Sequence, residues 1–444
     1  MAGDLLWYVQ KESASAARGA GEYAERLEEM PMPASPYLTV LLAAGCCGAA
    51  AATPVYYPPP DSAGGWRTAK EPAQARKVAG IDVARLDQAF EYATRTSQHG
   101  GLLVVRHGWL VYERYYGKCW RDSTPSAASV GKTFTSVSCG IMLDEHKDRF
   151  PQGLDTKIFT DAFLPEAFPL TDPRKAEIRL GQLLAMTSGM QDGNGGTGFV
   201  NGENVKVAAV QGIDRTVGPD LLALRAPLWT DPGGGYFYSN LGTHVLSLLV
   251  HSVTGKRMQD YIDEKLAGPM EWGPWGYPPG PNGAPAANTP GAGGIAVRAT
   301  DMLRFAYLLL HQGNWRGRQL IPAGYLALCG KPSPYDPHAP YSLQFTVNTE
   351  GHVAGAPRDA FFKSGAGGFG IYVVPSLDLV IWKIAGNDRQ YEWTAPGLPR
   401  NTSYDGSRDK WQAHVGDQFH DPPIDVDTGV RRTLEMVVAA VQDR

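Results

Sequence analysis

Between Asp82 and Thr94 the apolar residues Leu86, Ala89, Phe90 and Ala93 fall at i, i+3, i+4 and i+7, the spacing of one helix face. Phe134, Val137, Ile141, Met142 and Leu143 predict a second helix, with one side buried, directly after Ser129. Leu241, Val245, Leu246, Leu249 and Val250 predict another over 241–254, and further helices are expected over 258–266 and 300–312. Near the C-terminus, Val430, Leu434, Val437, Val438 and Val441 mark a last helix over 427–442. Strand-forming runs lie on either side of this helical stretch. A hairpin is expected over 101–116, and strands over 341–348 and 368–385, the latter containing Phe369-Gly370-Ile371-Tyr372-Val373-Val374.

Three segments break the periodicity. Gln191 to Pro227 is glycine-rich and polar at first, and Asn387 to Pro423 is irregular but holds Tyr391, Trp393, Tyr404, Trp411 and Phe419. Loops of such length inside a domain are functional or mobile; the aromatics suit substrate contact or simple pinning to the surface. Tyr37 to Cys47 is apolar, runs into an alanine-rich stretch and ends before Pro58-Pro59-Pro60, like a signal segment followed by a linker. It is too short to span a membrane.

Chemistry enters where the pattern carries polar residues that it does not need. Ser129 and Lys132 stand three residues apart at the head of a helix, so Oγ and Nζ share a face. A desolvated lysine gives up its proton more easily, and the neutral amine can take the serine proton as the oxygen attacks a carbonyl. The helix N-terminus favours the charge that develops there. Spacing alone is a weak signal, because Ser407 and Lys410 share it across Arg408 and Asp409, a filling that suits a solvated loop.

Tyr238-Ser239-Asn240 follows the turn Asp231-Pro232-Gly233-Gly234-Gly235 and precedes a helix, so its tyrosine and asparagine can both face one cleft. Read plainly, they are a turn tyrosine and a capping asparagine. Lys363-Ser364-Gly365 lies before a strand; a cation and a hydroxyl on an edge strand suit a substrate carboxylate, and the glycine lets substrate approach the backbone. Its plain reading is a solvated lysine before a turn.

Taken in order, Ser129-x-x-Lys132, Tyr238-x-Asn240 and Lys363-Ser364-Gly365 resemble the motif set of the serine β-lactamase and penicillin-binding-protein superfamily. The branch resembled holds class C β-lactamases, D-alanyl-D-alanine carboxypeptidases and family VIII carboxylesterases. Gly101 to Tyr112 resembles its opening hairpin, Leu183 to Met190 its characteristic helix end, and Gly293 to Met302 a further familiar segment, so that residues 80 to 390 are covered. The resemblance implies an α/β (α+β) fold: an antiparallel sheet built from both ends of the chain, flanked by terminal helices, with a helical subdomain inserted and the cleft at their junction. Residues 1–78 become leader and linker, and 79–444 one catalytic domain, with sheet parts at 79–128 and 330–444 and the helical part at 129–329.

The same resemblance implies a serine hydrolase that forms an acyl-enzyme on Ser129 and cleaves an ester, amide or β-lactam of a small molecule or short peptide. Lys132 would be its proton partner, and Tyr238 would protonate the leaving group and help activate the deacylating water. Asn240 would bind a substrate amide or ester-side group, Lys363 and Ser364 a carboxylate, with Gly365 beside them. The backbone N–H groups of Ser129 and Ala366 would form the oxyanion hole. The third motif carries serine where the family has threonine, which keeps the hydroxyl. Family VIII esterases often have tryptophan where Lys363 stands, so the lysine leans toward a carboxylate-bearing substrate; a carboxylesterase remains the alternative. No glutamate loop like that of class A enzymes is present.

Three rival readings use the same residues. Ser126 to Thr133 approaches a phosphate-binding loop but lacks its first glycine and a preceding strand. Ala127-x-Ser129-x-Gly131, with His99-Gly100-Gly101, approaches a nucleophile elbow and its oxyanion segment, which would call for a late histidine: His352, His414 or His420. A non-catalytic sensor or binding module would keep the cleft without turnover.

Composition fits a large enzyme. With 444 residues, 43% of them hydrophobic, a substantial core can form, and a net charge of -4 argues against nucleic acid as a partner. Cys46, Cys47, Cys119, Cys139 and Cys329 show no metal spacing; Cys119 and Cys139 either pair or stay as buried thiols. No metal or cofactor is expected, since the histidines form no ligand-like pair. Export, through a signal peptide or lipid anchor, is suggested by 37–47 and opposed by the acidic Glu22, Glu25, Glu28 and Glu29, which leaves a cytoplasmic location as the alternative.

Overall fold

The computed structural model of the chain describes residues 55–193, 195–209, 217–279, 287–396, 413–414 and 429–443. Two helices come first, α1 (Pro72–Ala79) and α2 (Val83–Thr94), the second started by Asp82, whose side chain accepts from the Ala84 N–H. Strands β1 (Gly100–Arg106) and β2 (Trp109–Tyr116) form the expected hairpin. Its two-residue turn puts both His107 and Gly108 at positive φ, 51° and 70°, as a type I′ turn requires.

A helical stretch follows: α3 (Gly131–Glu145), α4 (Leu180–Leu184), α5 (Pro219–Arg225), α6 (Asn240–Thr254), α7 (Met258–Ile262), α8 (Ala299–Leu310) and α9 (Ala323–Cys329). The polar stretch after Gln191 is not a plain loop. It holds a hairpin of β3 (Gly196–Val200) and β4 (Glu203–Val207), joined by Asn201 and Gly202 at φ 51° and 84°. Short ribbons pair β5 (Trp275–Gly276) with β6 (Ala296–Val297), and β7 (Asn314–Trp315) with β8 (Arg318–Gln319).

Strands then return as β9 (Tyr341–Ser342), β10 (Phe345–Val347), β11 (Phe361–Gly365), β12 (Phe369–Val374) and β13 (Leu379–Ile384). After β14 (Ala413–His414), α10 (Val430–Ala439) closes the described chain. The main sheet has the order β14-β2-β1-β13-β12-β11-β10-β9 and is antiparallel except for the β14–β2 pair. Both ends of the chain therefore contribute to one sheet, as the resemblance implies.

Alternation along the strands sorts their side chains to two faces. Leu102, Val104, Phe362, Tyr372 and Ile381 pack with Leu86 and Phe90 of α2 and Leu434 and Val438 of α10. Leu103, Val105, Phe361, Ile371 and Trp382 face the other way and share a core with Phe134, Phe305 and the helical stretch. Lys363 has the parity of Phe361, so its side chain belongs to the face toward the helices.

One expectation about the sheet needs correcting. β11 is not an edge strand, because β12 pairs with it on one side and β10 on the other. The register of β10 nevertheless covers only Phe361 and Phe362, leaving Lys363 to Gly365 beyond its end. Of the two readings of Cys119 and Cys139, buried thiols is the one that holds: both are free, and burial raises each thiol's pKa, that of Cys119 to about 12. Among the described residues no helix is long and apolar enough to cross a membrane; the apolar segment 37–47 and the leader around it lie outside them, as does most of 397–428, including Ser407, Lys410 and His420.

Candidate active site

Ser129 sits in a single 3-10 turn, Ala128–Val130, that leads into α3, and Lys132 is the second residue of the helix proper. Three residues per turn stacks i over i+3, and Lys132 Nζ lies 3.2 Å from Ser129 Oγ. The preceding Ala128 has φ 46°, a left-handed conformation that costs an alanine energy. Neighbouring chain holds it there: Gly294 N–H donates to the Ala128 carbonyl at 3.0 Å, and Ala127 N–H to Ile295 at 2.9 Å.

The tyrosine triplet owes its position to its middle residue. Ser239 caps α6, its hydroxyl accepting from the Gly242 N–H at 2.9 Å, so Tyr238 and Asn240 bracket a fixed turn. The Tyr238 ring then lies between two lysine side chains, 4.9 Å from Lys132 Nζ and 4.7 Å from Lys363 Nζ. Thus Ser129, Lys132, Tyr238 and Lys363 come together from three distant stretches of chain.

Lys132 is 0% exposed. Besides Ser129 it meets two oxygens, donating to Asn240 Oδ1 at 2.7 Å and to the Ala292 carbonyl. Burial pushes its pKa well below the ordinary lysine value; the Lys363 charge adds to the shift and Asp192 opposes it. A neutral amine whose two hydrogens go to Asn240 and Ala292 has its lone pair left for the third neighbour, the Ser129 hydroxyl. The arrangement can accept a proton from Ser129 without histidine.

Asn240, expected to bind substrate, is engaged at both ends of its amide within the protein: Oδ1 by Lys132, and Nδ2 by donation to Asp192 Oδ2 at 2.8 Å. Lys363, expected to bind a carboxylate, also has a partner within the protein. It is 2% exposed and donates to Tyr341 Oη at 3.0 Å, with the Tyr341 ring 4.8 Å from Nζ. Ser364 and Ala366 are half-buried, on either side of Gly365. Gly365 packs so closely on the segment before Ser129 that a Cβ there would come within 2.5 Å of the Ala127 carbonyl. Only glycine allows this approach, which brings the Ala366 turn beside the Ser129 turn.

Asp192, Tyr341 and the Ala292 carbonyl were not singled out in the sequence. Asp192 directly follows the Ser188-Gly189-Met190-Gln191 helix end, and that adjacency was the available signal. Tyr341 starts an anticipated strand, but nothing local marks it as a partner of Lys363. A backbone carbonyl carries no sequence signal at all.

The histidine-based rival loses its strand and two of its three candidate histidines here, the third, His420, lying outside the described residues. An irregular segment, not a strand, leads to Ser129. His352 is exposed and surrounded by Glu350, Arg358 and Arg431, and His414 lies on β14 at the opposite end of the sheet from β9.

A family model described as β-lactamase matches residues 86–384. No curated protein matches the chain by sequence. Solved structures share the fold at low identity. A candidate β-lactamase from Bacteroides dorei superposes with a TM-score of 0.56 at 17% identity, covering 81% of this chain and 99% of its own. Simvastatin synthase from Aspergillus terreus gives 0.54 at 15%, with 82% and 99% covered. A candidate 6-aminohexanoate-dimer hydrolase from Bacillus anthracis gives 0.52 at 21%, with 66% and 75% covered.

Proposed function

The chain belongs to the β-lactamase family, and on that premise we propose that it is a serine hydrolase forming an acyl-enzyme on Ser129. The observation that carries this reading is the buried Lys132 amine 3.2 Å from Ser129 Oγ, with its other contacts directed at Asn240 and Ala292. Ser129 Oγ attacks the substrate carbonyl carbon as its proton passes to Lys132 Nζ. The oxyanion is held by the N–H groups of Ser129 and Ala366. On collapse, the bond to the leaving group breaks and that group takes a proton through the Tyr238 phenol, which Lys132 replenishes. Water then attacks the acyl carbon, giving its proton to the Tyr238–Lys132 pair, and Ser129 is released with its hydrogen restored. Lys363 keeps Lys132 and Tyr238 in a positive field throughout.

The substrate is an ester, amide or lactam. The carboxylesterase reading gains support from Lys363, which is buried against Tyr341 and so less open to a substrate carboxylate than the motif suggests. Solved structures of the same fold include EstCE1, a hydrolase with promiscuous acyltransferase activity, so a non-water acyl acceptor is compatible with the same first half-reaction.

Intact-protein mass measurement after incubation with a fluorophosphonate, a penicillin and a p-nitrophenyl ester tests the proposal. Wild type should gain an adduct that Ser129→Ala does not. Turnover of the ester without a penicillin adduct selects the esterase branch, and the reverse selects the lactamase or peptidase branch. No Ser129-dependent adduct with any of the three would remove the enzyme reading and leave a binding module.

A further inference from the structure

Among the buried polar groups that this chemistry does not use, one set lies directly behind Lys132. His244 is 8% exposed and stands one helical turn after Asn240 on α6, so both project from the same side of that helix. Asn240 reaches Lys132 directly. His244 reaches it through backbone: the Gly291 N–H donates to His244 Nδ1 at 3.1 Å, and the carbonyl of the next residue, Ala292, accepts from Lys132 Nζ.

The Gly291 peptide is gripped from both flanks. Thr135 Oγ1, one turn after Lys132 on α3, donates to the Gly291 carbonyl at 2.6 Å. Ser247 Oγ, further along α6, donates to the Thr289 carbonyl at 2.5 Å. The segment lies so close to α6 that a Cβ on Gly291 would come within 2.6 Å of the Thr243 carbonyl.

The far side of the His244 ring is equally fixed. Nε2 lies 2.7 Å from Asp220 Oδ1, while Asp220 Oδ2 accepts from Asn288 Nδ2 at 2.8 Å. Because the Gly291 N–H donates to Nδ1, that nitrogen carries the lone pair, and the ring hydrogen sits on Nε2 and is donated to Asp220. Asp220 therefore selects the tautomer able to hold Gly291.

We propose that His244, oriented by Asp220, is a positioning residue for acylation: it fixes the Gly291-Ala292 segment so that the Ala292 carbonyl takes one hydrogen of the Lys132 amine and leaves the lone pair on Ser129. This rests on the reading of Lys132 as the base. It assigns a role to a histidine that never meets substrate.

Two substitutions separate the role from a general contribution to folding. Asparagine can place its side-chain oxygen where Nδ1 now accepts from Gly291. Glutamine reaches instead toward the Nε2 position, which keeps the Asp220 contact and leaves the Gly291 N–H without its acceptor. With p-nitrophenyl butyrate and a fluorophosphonate probe, His244→Gln should lower kcat and the rate of Ser129 labelling by about tenfold to a hundredfold with KM unchanged. His244→Asn should restore most of the rate, even where the two variants melt at the same temperature. Equal rates in the two variants, or a loss that follows melting temperature and not the acceptor, overturns the proposal.

Should His244→Gln fail to fold, Thr135→Val removes the other clamp on Gly291 at constant shape. It should slow labelling without changing KM, and a wild-type rate would count against the role. Failure of the underlying reading looks different. Lys132→Ala labelled at the wild-type rate removes both claims, whereas an enzyme that needs Lys132 but treats asparagine and glutamine alike loses only the positioning role.

Discussion

Lys132 and Lys175 are each 0% exposed, and each gives a hydrogen to a backbone carbonyl, Ala292 in one case and Leu224 in the other. Each also meets a side-chain oxygen, Asn240 Oδ1 at 2.7 Å and Thr171 Oγ1 at 3.0 Å. Burial lowers both; Lys175 falls to about 8, with Asp172 pulling the other way. The difference lies in what completes the shell. Lys132 faces the half-buried hydroxyl of Ser129, whereas Lys175 lies inside the helical part with the Phe159 ring 5.7 Å away. A depressed lysine is therefore not a site by itself. It becomes one where its lone pair is aimed at a hydroxyl that substrate can reach.

Substitutions at the two positions should separate them sharply. Ser129→Ala is expected to abolish labelling and turnover, and Lys132→Ala to slow acylation by about 10²–10⁴-fold, the usual contribution of a general base. Lys175→Met should label at the wild-type rate under the same fluorophosphonate assay. Comparable losses at 132 and 175 would mean that burial of the amine, and not its aim, is what matters.

Tyr238→Phe removes the phenolic proton but keeps the ring between the two lysines. It is expected to cost about a hundredfold in kcat, within the range for a proton-transfer group, with acylated protein accumulating in the mass spectrum. Loss of labelling without accumulation would assign the phenol to acylation alone.

How much of this was readable in the sequence depends on distance along the chain. Ser129 with Lys132, and Tyr238 with Asn240, are local patterns enforced by a turn and a cap, and they were legible. The terminal helices, the opening hairpin and the returning strands followed from periodicity. Asp192, Tyr341 and Ala292 were not, because each acts through contacts made only after folding, one of them by a carbonyl that any residue could supply. The β3–β4 hairpin was missed although Asn201-Gly202 is a strong turn signal, since the glycines around it mask the alternation. β11 was taken for an edge although the strand expected over 341–348 contains β10, because which strand pairs with which is decided by contacts distant along the chain and not by the local pattern.

Smaller effects should tune the Lys132 environment. Lys363→Gln removes a neighbouring positive charge that helps lower the Lys132 pKa, so the acid limb of the acylation profile should move to higher pH. Asp192→Asn removes the opposing carboxylate, and the limb should move to lower pH, each by up to about one unit. Shifts of the same sign would contradict the assignment of these charges.

A separate effect is on stability. Lys175 has a folded value of about 8 against an ordinary 10.5, so below pH 8 both states hold the proton and the full cost of burying the ammonium is present. Between these values the folded chain releases its proton first, and the unfolded chain binds more protons. Stability from this group therefore rises with pH through that window. Urea unfolding of Lys175→Met should lack the rise; an unchanged profile would place the origin elsewhere.

The most direct measurement is the pH dependence of Ser129 labelling by a fluorophosphonate, followed by intact mass in wild type and Lys132→Ala. A buried neutral amine acting as base gives a rate that climbs with pH through a single step well below the ordinary lysine value of 10.5, and the step disappears in Lys132→Ala. A step at the ordinary lysine value, or one that persists without Lys132, would contradict the account.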